Sequence, residues 1–137
     1  MNSNENQENY LHLGDLELQI MDIIWEREDF VSVSEIHEIL YPKNKLAYTT
    51  IMTVMGNLHK KGVLVRHKEG KAYLYAPAKK RGEMAEKAIS KLARVFYKDN
   101  IPEFFTCFLK SSKGMSKDDI GMLRQKLEEY EKGEEQQ

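Results

Sequence analysis

Between residues 13 and 77 the spacing of apolar residues changes once, at Gly62, from a helical period to a strand period, and that order of elements leaves few folds open. Upstream, Leu13, Leu16, Ile20, Ile23 and Ile24 recur at helical intervals, with Trp25 closing the stripe and Asp15, Glu17 and Asp22 on the other side. Gly14 followed by Glu17 is a weak N-cap signal, whereas Ser32 followed by Glu35 is a capping box for a second helix with Val33, Ile36, Ile39 and Leu40 on its inner side. The residue before a proline is pushed out of the helical region, so Tyr41-Pro42 is expected to end this helix and 43–46 to form a polar turn. From about Ala47, the residues Ile51, Val54, Met55 and Leu58 mark a third helix that stops at Gly62, with Lys60 and Lys61 in its last turn. Downstream, 63–67 and 72–76 are β-rich runs around Lys68-Glu69-Gly70-Lys71, a hairpin with a basic tip.

After Pro77 the helical period returns. Lys79-Lys80-Arg81 leads into a helix over 82–97 with Met84, Ala85, Ala88, Ile89, Leu92, Ala93 and Phe96 on its apolar positions. Asn100-Ile101-Pro102 breaks it; Phe104, Phe105, Phe108 and Leu109 then crowd one short helix, and Ser116 with Asp119 opens a last one carrying Ile120, Leu123, Leu127 and Tyr130. Three small helices cannot hide so many large apolar side chains alone. A second copy of the chain is therefore expected over Ile89, Leu92, Phe96, Phe104, Phe105, Phe108, Ile120, Leu123 and Leu127, giving a homodimer. The expected organisation is a disordered start at 1–12, a winged helix-turn-helix domain at 13–80, a helical dimerisation domain at 81–130 and a solvated tail at 131–137. The fold class is mainly α with a small β-hairpin wing.

Composition matters through its unevenness. A formal net charge of -1 over 137 residues conceals ten acids and one base in 1–41, one acid and ten bases in 42–81, and eleven acids and ten bases in 82–137. The middle segment, at +9, holds Lys43, Lys45, Lys60, Lys61, Arg66, Lys68, Lys71, Lys79, Lys80 and Arg81. Such a segment is either a solvated face or a phosphate-binding one, and the helix–turn–helix order with a basic hairpin selects double-stranded DNA as the partner.

The third helix would then enter the major groove. Its candidate DNA-facing residues are Ala47, Tyr48, Thr49, Thr50, Met52, Thr53 and Asn57, a slim outer face without the Glu and Lys of an ordinary solvent-exposed helix. A threonine can hydrogen-bond a base or phosphate and lay its methyl on thymine, although Thr50 is equally placed for packing at the helix start. No arginine stands on this face, so apolar contacts, water and DNA shape are expected to carry more of the specificity than bidentate guanine contacts. Lys60, Lys61, Arg66, Lys68 and Lys71 are placed for backbone phosphates. Tyr73 and Tyr75 alternate with Leu74, so one strand face packs, and they are read as core or wing-support residues rather than DNA ligands, with Tyr73 kept among the wing residues.

Other classes find little support. His12, His37, His59 and His67 are scattered, and no nucleophile, base and orienting group occur together, so no catalytic residue, metal ligand set or cofactor is read. The one cysteine, Cys107, excludes an intrachain disulfide and, between Phe105 and Phe108, reads as a buried small apolar residue. No apolar stretch approaches the roughly 20 residues that span a bilayer, and the polar opening lacks a signal-peptide core, so a cytoplasmic protein is expected.

The chain resembles the penicillinase-repressor group of bacterial regulators, which control β-lactamase and related genes and include copper-responsive members. The likeness rests on Ile20-Met21 and Ile24-Trp25, on Ser34-Glu35-Ile36, on the run Leu46-Ala47-Tyr48-Thr49-Thr50-Ile51-Met52-Thr53, on Leu58-His59-Lys60-Lys61-Gly62, and on Glu69-Gly70-Lys71-Ala72-Tyr73-Leu74-Tyr75. It covers 13–77, with the C-terminal helices following in the expected order. It implies a homodimeric repressor on a palindromic operator, released when a membrane-bound sensor metallopeptidase, responding to a β-lactam or cell-wall signal, triggers cleavage. Two positions depart from the group: Gly56-Asn57 stands where relatives often carry Asp-Arg, and Cys107-Phe108 where some members are cut at Asn-Phe. The cysteine pairs that copper-responsive members use in the C-terminal tail have no counterpart here. A metal-responsive repressor of the same group and a winged-helix module for protein partners remain the alternatives.

Overall fold

The computed structural model describes residues 13–27 and 29–135. The disordered start expected over 1–12, which includes His12, and the last two residues of the expected tail lie outside them. Among the described residues the order is α1 (Asp15–Glu26), β1 (Val31–Ser32), α2 (Val33–Asn44), α3 (Tyr48–Lys60), β2 (Leu64–Glu69), β3 (Ala72–Pro77), α4 (Arg81–Tyr97), α5 (Ile101–Ser111) and α6 (Lys117–Glu135). This is mainly helical with one small antiparallel sheet in the order β1-β3-β2, the arrangement of a winged helix-turn-helix.

Ile20, Met21 and Ile24 bury the inner side of α1 completely, with Leu16, Ile23 and Trp25 packed partly against the same core. Ser32 caps α2: its Oγ accepts the Glu35 N–H at 3.2 Å and donates to the Glu35 carboxylate at 3.4 Å. The helix does not end at Tyr41-Pro42 as expected but runs through Pro42 to Asn44. Pro42 removes only the N–H that would reach Glu38, and the Lys45 N–H closes the last turn on the Tyr41 carbonyl at 2.9 Å. Ile39, expected inside, is exposed, because it is turned about 100° from Leu40 around the helix axis. Val33, Ile36 and Leu40 form the buried side.

In α3 the buried residues are Ile51, Met55 and Leu58. Gly62, at φ 80, ends it: the Gly62 N–H reaches the His59 carbonyl at 3.0 Å and the Val63 N–H the Leu58 carbonyl at 3.0 Å, while Val63 and Leu58 are both buried. Each large apolar side chain taken into this core from α1, α2 and α3 contributes about 1.5–3 kcal/mol. The hairpin is longer than expected, since Lys68 and Glu69 pair with Tyr73 and Ala72 and leave only Gly70-Lys71 as the loop. Gly70 takes φ 64 at the first loop position, where a two-residue hairpin turn calls for glycine. β1, too short to show a period, pairs Val31 with Tyr75 and Ser32 with Leu74.

The chain divides into two compact units, Met1–Lys91 and Leu92–Gln137. The division falls inside α4, eleven residues past the boundary read from the sequence, and Met84 on the first turns of α4 is buried in the core of the first unit. In the second unit, Asn100 caps α5 by accepting the Glu103 N–H at 3.3 Å, so Pro102 sits in a first turn instead of breaking a helix. The break lies just before, at Lys98 and Asp99, with φ of 49° and 64°. Ser116 and Asp119 exchange reciprocal capping bonds at 3.0 and 3.1 Å ahead of α6. α6 continues to Glu135, so 131–135 are helical where a solvated tail was expected; Glu131 and Lys132 are good helix formers and keep the backbone bonded. Cys107, read as buried, is exposed, since α5 buries none of its residues. Among the described residues no helix is long and apolar enough to cross a membrane.

Candidate nucleic-acid interface

The start of α3 is set by the turn before it. Lys45 takes φ 49, and the His37 Nε2–H reaches the Leu46 carbonyl at 2.9 Å, with the His37 ring against those of Tyr41 and Tyr48. The helix then begins at Tyr48 with Ala47 as N-cap, no side chain capping it and no acid in its first turn. Its positive end is thus left open for an anion.

Ala47, Tyr48, Thr49, Thr50, Met52, Thr53 and Asn57 are all exposed, while Ile51, Met55 and Leu58 point inward. The outer face carries no charge between Tyr48 and Asn57. Thr53 donates its hydroxyl hydrogen to the Thr49 carbonyl at 2.9 Å, so toward solvent it offers oxygen lone pairs and a methyl.

On the hairpin, Arg66 and Lys68 of β2 share a face with Tyr73 and Tyr75 of β3. The buried Tyr75 hydroxyl accepts from Arg66 Nη1 at 3.3 Å, and the Arg66 guanidinium lies 4.0 Å over the Tyr73 ring. Arg66 is therefore held in place before any partner arrives, and Tyr73 stays part-exposed as its platform. Lys68 and Lys71 are exposed at the wing tip, and Lys60 is exposed at the end of α3.

Lys61 is paired within the first unit. Its ammonium contacts both carboxylate oxygens of Glu17, at 3.0 and 2.8 Å, and Glu17 also accepts the Gly14 N–H at 3.2 Å. The bridge ties the end of α3 to the start of α1. Burial, and next the Arg66 charge, lower the pKa of His59 below its ordinary 6.5.

Sequence reasoning missed His37 and Glu17. Each acts on a partner far along the chain, Leu46 or Lys61, and no local spacing signals such a contact. The described histidines are spread over α2, α3 and β2, and among the described residues no group of three or more His, Cys, Asp or Glu is placed to hold a metal ion. In the second unit Ala93 alone is buried among the described residues. Leu92, Phe96, Phe105, Phe108, Ile120 and Leu127 are exposed and Phe104 and Leu123 half-buried; in the first unit Ile89 is exposed too.

A family model described as penicillinase repressor matches residues 13–129. The chain belongs to the penicillinase-repressor family. The transcriptional regulator BlaI of Mycobacterium tuberculosis is 42% identical over 72 residues, 53% of this chain and 52% of that protein. The chain thus spans about half the length of that relative. The penicillinase repressor of Bacillus licheniformis is 29% identical over 118 residues, 86% of this chain and 91% of that one. The solution structure of the DNA-binding domain of the repressor BlaI is similar at 31% identity and a TM-score of 0.47, covering 52% of this chain and 85% of that chain. These relatives of the family member described here are transcriptional regulators, not enzymes.

Proposed function

We propose that this member of the penicillinase-repressor family is a transcriptional repressor that binds double-stranded DNA as a homodimer on a palindromic operator. The observation that carries the reading is the exposed, uncharged face of α3, open at its N-terminal end and set beside a basic hairpin. Thr49, Met52, Thr53 and Asn57 read base edges, while Lys60, Arg66, Lys68 and Lys71 bind phosphates. The second copy covers the apolar side chains of α4, α5 and α6. Release by a signal from a membrane-bound sensor metallopeptidase, in a β-lactam or cell-wall response, is supported by the family resemblance alone. A footprint of the purified chain on the DNA upstream of its own gene tests the reading. Protection of two half-sites spaced by whole helical turns is expected; absence of protection at low salt, where phosphate contacts are strongest, would overturn it.

A further inference from the structure

The first unit contains a pocket that the operator-binding reading leaves unused. It opens between the end of α1, the end of β3 and the first turn of α4, has a volume of about 830 Å³, and is lined by Trp25, Arg27, Lys79, Lys80, Arg81 and Glu83 among others. The volume lies in the roughly 300–1,000 Å³ range of small-molecule sites. Its frame is braced: the Trp25 indole N–H donates to the Lys79 carbonyl at 3.2 Å, and the Arg81 guanidinium lies 5.3 Å over the same indole. Four cationic side chains face a single carboxylate on the lining. Arg27 and Arg81 do have acidic neighbours, Glu35 at 3.9 Å and Asp22 at 3.2 Å, but all four side chains are about half to two-thirds exposed, so these pairs are weak. Lys79 stands close enough to Lys87 to lower the pKa of that ammonium, despite the nearby Glu83 charge. Two like charges held together beside a cation-lined pocket are relieved by an anion between them.

We propose that this pocket binds a small-molecule dianion, a phosphate monoester or a dicarboxylate, whose negative groups take Lys79, Lys80 and Arg81 and whose body lies along Trp25. A concave site suits a compact ligand better than the convex backbone of a duplex, whose phosphates the exposed wing tip meets more easily. The bound ligand would tie α1 to the segment that links β3 to α4. Trp25 is the one tryptophan of the chain, so its emission reports the pocket directly.

The test titrates glycerol phosphate, a phosphate monoester, and, separately, succinate into the full chain at constant ionic strength while Trp25 emission is followed. A saturable change with at least one probe is expected, together with a rise in the thermal midpoint at saturation. The doubly substituted Lys79→Gln, Lys80→Gln chain should keep the wild-type midpoint without ligand and bind about tenfold or more weakly. A response that never saturates, or a variant that titrates like wild type, overturns the proposal. No DNA is present in the titration, so the repressor reading stands or falls separately.

Discussion

Lys61 and Lys68 carry the same charge seven positions apart, and their surroundings give them different roles. Lys61 neutralises Glu17, whose carboxylate is mostly covered, whereas Lys68 stands exposed on the wing. Lys61→Ala should therefore destabilise the chain by about 1–2 kcal/mol, by stranding a hydrogen-bonded carboxylate, and leave the slope of log K for DNA against log salt unchanged. Lys68→Ala should do the reverse, reducing that slope by about one unit with no change in thermal midpoint. Identical behaviour of the two variants would contradict the assignment of Lys61 to Glu17. His59 gives a pH prediction at the same scale. Its pKa in the folded chain lies below 6.5, so from 6.5 downward the unfolded chain binds more protons and folding stability is lost as the pH falls. Urea unfolding should show a larger loss between pH values above 6.5 and about one unit below it for wild type than for His59→Gln. Equal losses would assign the acid sensitivity to other groups.

Among the elements, α3 carries a local inconsistency. Gly56 stands in mid-helix, where glycine costs about 1 kcal/mol relative to alanine, and a Cβ there would meet nothing within 4 Å. Gly56→Ala should raise stability by about 0.4–1 kcal/mol, which in a domain of this size moves the thermal midpoint up by a few degrees. An unchanged or lower midpoint would show that the backbone at Gly56 is restrained by something besides helix propensity. The helix ends show how far local patterns reach. Gly62 and Ser32 could be read in advance because their partners lie within five residues. The end of α2 could not, because the Lys45 N–H and the burial of Ile36 and Leu40 together outweigh the local preference against helix at Tyr41-Pro42.

For the molecule as a whole, the second unit has almost no interior of its own. Phe96, Phe105, Phe108, Leu127 and Tyr130 are all exposed, and large exposed apolar side chains of this kind mark a surface for a partner. Sedimentation of the full chain should give a dimer, and Phe105→Asp should shift it to monomer while the cooperative unfolding of the first unit persists. A dimer that survives Phe105→Asp would place the contact between copies on another surface.

β1 and the buried Met21 were not legible in the sequence; what it determined by itself was the order of the helices and of the hairpin, most of the inner sides of α1 and α3, and the residues on the outer face of α3. These follow from apolar period, capping residues and glycine placement, which act within about a turn of helix or one hairpin. Charge segregation placed ten bases on the middle segment, but could not say which of them would be left free. That was decided in three dimensions. Glu17 meets Lys61 and Tyr73 meets Arg66, Trp25 and Lys79 frame a pocket, and His37 braces the turn before α3. Each of these contacts joins different elements. Their geometry depends on how those elements pack, and packing is set by the whole core at once, with no single segment carrying the information.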